Sequence, residues 1–521
     1  MRVALAMLGA AFIVSSNPTP SLPVASPNPN TDAAGTTRDG VVSLTLEARR
    51  VMWFPDGDSL PGRETTAFAE PGKSPVIPGP LIRVPAGTEV RLTVRNTDVP
   101  DTLRFEVPGL TQQPGAARPD SVVIPPGGTG ELRFTARTPG NFFYRAAGTD
   151  VLSQALQIHG LLAGAVVVDS VGATIRPDER VLVLLWSIDS AAAGRPVLER
   201  SIFAINGLSW PHTERITATV GDSLRWRIIN LNADVHPVHL HGFYFRVDEY
   251  ASVLPPRDGQ ERAGRMVVTE RMPGFSRMTI TWVPERAGNW LAHCHFALHL
   301  VPPRLLQSPS LAALAGEGAH ASHAADGSSN HATMGMAGLV MGVTVRPRPG
   351  ERIAEPEPGR RQLRLVAVQD PGFPDTLPSL RFRLEARGGA VTEAGPGFSP
   401  PIVLARGEPV SITVVNTLRE PTAVHWHGIE LESYYDGVAG FGGSDGRVTP
   451  IIAPRDSFEV RFTPPRAGTF IYHSHVNEIR QHAAGLVGSL VVLDRAREMG
   501  ADDHVFFMKA TRTTPVDGAM L

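Results

Sequence analysis

The 521-residue chain is nearly without cysteine: Cys294 is its only one. A single thiol excludes an internal disulfide, the usual staple of an exported protein. It leaves a buried thiol, a reactive thiol or a metal ligand, and the neighbours decide which. An excess of charge of one sign is also lacking. Lys and Arg number 49 against 51 Asp and Glu, a net charge of −2. That balance offers no electrostatic ground for a nucleic-acid partner or for an acidic membrane surface. No stretch reaches the ~18 apolar residues of a membrane span. Long helical periodicity is missing too.

What is present is β-structure. Short runs of Val, Ile, Leu, Thr and Phe alternate with turns drawn from 51 Gly and 47 Pro, as in sandwich-type architectures. At the N-terminus, Met1-Arg2, an apolar run from Val3 to Val14 and then Ser15-Ser16 read as a secretory signal over residues 1–18. It implies export, to the periplasm or the cell exterior. Residues 19–39, rich in Pro, Ser, Thr and Asn, read as a flexible leader.

One pattern then occurs three times. A strand, a polar turn and a strand ending in Asn make up Leu81–Asn96, Ile216–Asn230 and Ile402–Asn416. A glycine-aromatic strand follows as Gly140–Ala147, Gly288–His295 and Gly468–His475. An apolar strand closes each copy: Gly160–Val168, Gly335–Val345 and Gly485–Val492. The repeat predicts an all-β chain of three sandwich domains over residues 40–172, 176–346 and 360–495, with a tail from 496 to 521. Residues 301–334 of the second domain form a low-complexity insertion carrying His320, His323, His331 and Met334; it reads as a surface loop, with a lid as the sharper alternative.

The copies differ in histidine. Seventeen histidines scattered at random would give roughly half of one His-x-His pair. There are four: His239/His241, His293/His295, His425/His427 and His473/His475, at matching places in the second and third copies. The first copy has Arg145-Ala146-Ala147 and, roughly, Phe105-Glu106-Val107 there, so it reads as scaffold. Side chains at i and i+2 of a strand share a face, so each pair aims two imidazoles one way. Cys294, between His293 and His295, points the other way. His236 differs in parity from His239 and falls on the cysteine side. Cys294, His236 and His299 form the two-histidine, one-thiolate set of a blue-copper centre, which usually adds a weak axial Met. Eight further imidazoles suit several copper ions better than one four-coordinate zinc.

These motifs resemble the multicopper oxidases, over residues ~40–495. The resemblance implies three cupredoxin-like Greek-key β-sandwiches and four coppers per chain: one type 1, one type 2 and two type 3. It implies His236, Cys294 and His299 at type 1, and His239 with His425 at type 2. One type 3 ion falls to His427, His473 and His293, and the other to His241, His475 and His295. Cys294, flanked by His293 and His295, then links the sites through adjacent backbone. The implied partners are dioxygen and a small reducing substrate, for a monomer or homo-oligomer.

Three departures from the family pattern stand out. The cysteine domain is second and its partner third, a cyclic shift that still lets the cluster form within one chain. The axial methionine is displaced by the insertion; Met336 is the candidate, with Met334 next and a non-coordinating Leu300 as the alternative. The acid often found within His-Cys-His-x-x-x-His is replaced by Phe296, Ala297 and Leu298. Asp436, in Tyr435-Asp-Gly-Val438, matches the family acid near the type 2 ion and reads as a proton relay; the simpler reading is a turn-forming Asp-Gly. The expected function is oxidation of phenols or aromatic amines coupled to reduction of dioxygen to water. A cuprous or ferrous ion oxidase and a non-catalytic copper-binding protein are the alternatives.

Overall fold

The computed structural model describes residues 21–508, apart from 112–119, 151–158, 189–199, 253–260, 301–334, 354–355, 360, 371–378, 387–390, 393–397, 498 and 501. The signal segment, the insertion with Met334, and the end of the tail lie outside the described residues. Six sheets pair into three sandwiches, and the chain is an all-β protein of three cupredoxin-like domains. Among the described residues no helix is long and apolar enough to cross a membrane.

The three sandwiches share one topology. In one sheet the first long strand runs parallel to a later one: Val41–Trp53 beside Thr88–Asn96, Glu179–Ile188 beside Leu224–Asn230, and Arg361–Asp370 beside Val410–Asn416. In the facing sheet the closing strand runs parallel to a short one: Ala163–Asp169 beside Gly79–Pro85, Val340–Arg346 beside Arg215–Thr219, and Val487–Leu493 beside Ile402–Ala405. Parallel neighbours among antiparallel strands demand long crossovers between sheets, the mark of a Greek key. Local pattern agrees with position. Thr129–Ala136 alternates exposed and buried along its length, as a half-covered strand should. Val487–Leu493 is buried throughout, because both of its faces are covered.

The leader corrects the sequence expectation. Ser26–Pro27 pairs with Val76–Ile77, and Thr36–Arg38 pairs with the first long strand. Ala25 and Asn30 are buried. Its Pro and Asn content looked flexible, but the Asn side chains make the bonds a ladder would make. Asn28 Nδ2 donates to the carbonyls of Pro78 and Gly79 at 3.2 and 3.1 Å, and Asn30 Nδ2 donates to Asn206 Oδ1 at 3.0 Å. The segment therefore ties the first sandwich to the second.

Those two sandwiches share an apolar core that includes Val51, Trp53, Phe143, Val183 and Ile229. The second and third meet where Gly288, at φ 135°, leaves room for Ser433; a Cβ there would sit 2.4 Å from the serine Cβ. Ser433 Oγ donates to the Asn289 carbonyl at 2.5 Å, and the Asn289 amide donates to the Gly443 carbonyl at 2.9 Å. This seam places two histidine-bearing sheets face to face.

Candidate metal centres

The first centre lies inside the second sandwich. Strand His236–Leu240 pairs with strand Gly288–Cys294 so that Val238 opposes Cys294. His236, two residues before Val238, shares its face. The 3-10 turn Ala297–His299 folds back and returns His299. Cys294 Sγ lies 3.6 Å from His236 Nδ1 and 3.3 Å from His299 Nδ1, and the two Nδ1 atoms are 3.1 Å apart. The outer ring nitrogens donate away from the sulfur: His236 Nε2 to Asn232 Oδ1 at 3.0 Å and His299 Nε2 to Asp234 Oδ2 at 3.3 Å. With the protons there, both Nδ1 lone pairs face the thiol, which is the tautomer a metal needs. Phe203 closes one side, its ring centroid 4.2 Å from that of His299.

The second centre lies between the second and third sandwiches, on the opposite face of the same strand. Here the two domains are related by a local twofold. His239 opposes His293, as His425 opposes His473. The pair His239 and His425 sits across the axis, with Nε2 atoms 3.4 Å apart. On one side stand His241, His293 and His475; on the other, His427, His473 and His295. Each trio takes two imidazoles from one sandwich and its third from the other.

This corrects the expected trios, in which His293 and His295 were exchanged. The register explains it. His293 lies opposite His239 and diagonal to His241, while the backbone of His295 lies one rung away, bonded to Pro237. A rung is ~6.8 Å along a strand, so His295 is carried away from His241 and toward the other sandwich. The same register corrects the first domain. Glu106, not Phe105, stands at the position of His239, because it opposes Arg145 as His239 opposes His293. Arg145 and Glu106 form an ion pair at 2.6 Å in place of facing imidazoles.

The donor atoms fit cations. His241 Nδ1 donates to Asp436 Oδ2 at 2.7 Å, and His293 Nδ1 donates to the Cys294 carbonyl at 2.7 Å. Both rings therefore turn Nε2 lone pairs toward each other, 2.8 Å apart, an arrangement that repels unless a positive charge lies between. In the other trio His295 Nε2, His427 Nδ1 and His473 Nε2 are buried without a hydrogen-bond partner; orphaned polar atoms of this kind call for an ion. Burial pushes His236 down to about 3 and His293 down to about 4, and drives His239, His241, His295, His427 and His473 well below the usual histidine range, the neighbouring imidazoles adding to it. Burial likewise drives the Cys294 thiol far up. Neutral imidazoles are ready ligands, and the thiolate becomes favourable only beside a cation.

Asp436 is fully buried. It follows the 3-10 turn Ser433–Tyr435, held there by Gly437, where a Cβ would lie 2.0 Å from the Val424 carbonyl. Its carboxylate serves His241 of one sandwich, and its carbonyl accepts from His425 Nδ1 of the other at 2.8 Å. That is more than a turn requires.

Several residues were missed from sequence. Glu478 opens the helix Glu478–Ala484 and lies 3.5 Å from His475 Nε2, with burial raising its carboxyl to about 7; its spacing, His475-x-x-Glu, was a usable signal. Thr269 Oγ1 lies 3.0 Å from His239 Nδ1 and 3.1 Å from His427 Nε2. Asn232 and Asp234 alternate with His236, a pattern overlooked. His482 stacks on His473 with centroids 5.2 Å apart. His159 bonds Asp101 and Thr66 in the first sandwich. Met336 and Leu300 are both buried in the apolar cluster containing Cys294, and Gly338 presses on the His299 carbonyl. Phe296 and Leu298 are exposed.

Cupredoxin-type sandwiches with a two-histidine thiol set and an interdomain histidine cluster define a class of copper protein. Two family models, both described as multicopper oxidase, match residues 185–302 and 386–497. The chain belongs to the multicopper oxidase family, and membership implies copper.

Among curated relatives, a copper resistance protein A homolog of Pseudomonas syringae pv. tomato is 35% identical over 136 residues, covering 24% of this chain and 22% of that protein. The multicopper oxidase MmcO of Mycobacterium tuberculosis is 34% identical over 131 residues, 25% of this chain and 24% of that one. A probable nitrite reductase-hydroxylamine oxidoreductase fusion protein of Kuenenia stuttgartiensis is 25% identical over 296 residues, 51% of this chain and 31% of that one. The match thus spans less than a third of the length of each of these relatives. A solved structure, the blue copper oxidase from Nitrosomonas europaea, aligns with a TM-score of 0.40 at 20% identity over 58% of this chain and 85% of that one.

Proposed function

We propose that the chain is an exported copper oxidase. In this reading it couples one-electron oxidation of phenols or aromatic amines to four-electron reduction of dioxygen to water. His236, Cys294 and His299 hold the type 1 copper, with Met336 as the axial candidate. His239 and His425 hold the type 2 ion. His241, His293 and His475 hold one type 3 ion, and His295, His427 and His473 hold the other. When bound, the four coppers supply the one-electron steps and the site of oxygen reduction.

The observation that carries this reading is the strand His293-Cys294-His295. Its three side chains join three ligand groups: Cys294 one centre, and each histidine a different trio of the other. From the sulfur to either ring the route is covalent, and the His293 Nδ1–H to Cys294 carbonyl bond closes a second path. The remaining residues orient and protonate. Asp436 fixes His241 and His425, and Thr269 accepts from His427 Nε2. Glu478, whose carboxyl is held near neutrality by burial, stands ready to give a proton toward the His475 side. The half-exposed Asp234 carboxylate beside His299 favours a second reading, in which the donor is a cuprous or ferrous ion.

Copper content and the visible spectrum of the loaded chain test the sites; oxygen uptake with a phenol and with cuprous ion tests the donor. Four coppers, a thiolate-to-copper band and phenol-driven uptake support the proposal. Fewer coppers and no band would overturn it, and uptake with cuprous ion alone would move it to the second reading.

A further inference from the structure

We infer that Asp234 is a positioning residue whose charge lowers the reduction potential of a copper held by His236, Cys294 and His299. The inference rests on reading that trio as the type 1 site. Between the strands Leu224–Asn230 and His236–Leu240 runs a ladder of side chains at every second residue. Asn230 Oδ1 accepts from the Asn232 amide at 3.2 Å, and Asn232 Oδ1 accepts from the Asp234 amide at 2.9 Å. Asp234 Oδ1 accepts from the Val235 amide at 2.8 Å, and Asn230 Nδ2 donates to the Asp234 carbonyl at 2.8 Å. From this ladder Asn232 takes the outer proton of His236, and Asp234 takes that of His299.

The two imidazoles are thus held by the same device with different charge. An amide serves His236 and a carboxylate serves His299. Geometry does not require the carboxylate, since an amide, that of Asn232, holds the ring of His236 one step earlier in the ladder. What the carboxylate adds is a negative charge on the hydrogen-bonded side of one ligand ring. Such a charge raises ligand basicity and favours the oxidised ion, which carries one more positive charge than the reduced ion. The side chain is 42% exposed, so solvent and salt weaken the effect without removing it.

The test is an anaerobic, mediator-linked redox titration of the copper-loaded full chain, read on the thiolate-to-copper band, for the wild type and Asp234→Asn. The amide keeps an acceptor for His299 Nε2 and removes the charge. The expected result is an intact band and a higher midpoint. The oxidised-to-reduced ratio at fixed potential should fall about tenfold, equivalent to ~59 mV for one electron. The shift should shrink at high salt. An intact band with an unmoved midpoint overturns the inference. Should the amide variant lose the band, Asp234→Glu decides: a band at the wild-type midpoint supports the inference, and a lost band makes the residue a strut and overturns it. A wild type without the band defeats the type 1 reading instead, and a blue wild type that consumes no oxygen leaves this measurement standing.

Discussion

The second and third sandwiches carry the same pocket with opposite contents. Val424 opposes Ser474 as Val238 opposes Cys294. Three residues before the paired histidine, the second sandwich has His236 and the third has Thr422. After the strand, the second makes a 3-10 turn that returns His299, and the third makes the helix Glu478–Ala484, which returns Gln481. Ser474 Oγ and Thr422 Oγ1 both donate to Gln481 Oε1, at 2.6 and 2.8 Å, and Gln481 Nε2 donates to the Pro421 carbonyl at 2.8 Å. That triangle is complete in itself. The Cys294 set is not, since two Nδ1 lone pairs converge on a thiol that has only one proton to offer. One scaffold thus accommodates either a closed hydrogen-bond network or a metal site, and the unmet valence tells them apart.

The comparison breaks most visibly at its sulfur. Cys294→Ser should abolish the thiolate-to-copper band and donor-driven oxygen uptake, as seen by absorbance and an oxygen electrode; a surviving band would end the distinction between the pockets. Asp436→Asn reaches the feature both sandwiches share. It should weaken cluster copper binding about 10–100-fold, measured by competition with a chelator, while the band persists.

Glu478 belongs to the third sandwich alone, and its effect is read on metal-free protein. Burial lifts its carboxyl from the ordinary glutamate value of about 4.5 to about 7 in the folded chain. It therefore contributes stability that is full below about 4.5 and is lost as pH rises through about 7. The histidines with depressed pKa act oppositely, contributing stability that is lost as pH falls below 6.5. The quantity to follow by denaturant titration is therefore the wild-type minus Glu478→Gln difference, which should fall by up to ~3 kcal/mol across that window. A flat difference would place Glu478 in water. Ser474→Cys should give no second band, because no imidazole waits there, and should cost about 1 kcal/mol through the lost hydroxyl bond to Gln481. Smallest of all, Arg145→Ala in the first sandwich, which shows no metal-ligand group among its described residues, should cost below ~1 kcal/mol, its ion pair being partly exposed, and should leave copper content unchanged.

Much of this was legible in sequence for a simple reason: strand parity is local. The alternation that sends Cys294 one way and His293 and His295 the other needs only three residues. The sorting of His293 and His295 into trios needs the register between Gly288–Cys294 and His236–Leu240, which one strand cannot reveal. Glu106 was misplaced by one residue for the same reason. The leader failed differently, because composition reports what a chain would do unaided, while Asn28 and Asn30 are ordered by partners far along the chain. Thr269 was invisible as a single polar residue and becomes meaningful only beside His427, and the alternation of Asp234 with His236 does not by itself reveal that its partner is His299.

The crossing of one imidazole from each sandwich into the other's trio makes the cluster a clasp. No trio can be completed by a domain standing alone, so ion binding and domain docking form one linked equilibrium. Every increment of copper affinity is also an increment of interdomain adhesion. Stripping the ions should then loosen the seam at Ser433 and Gly443 before either sandwich melts, so that the metal content of the protein reports how firmly its halves are held together.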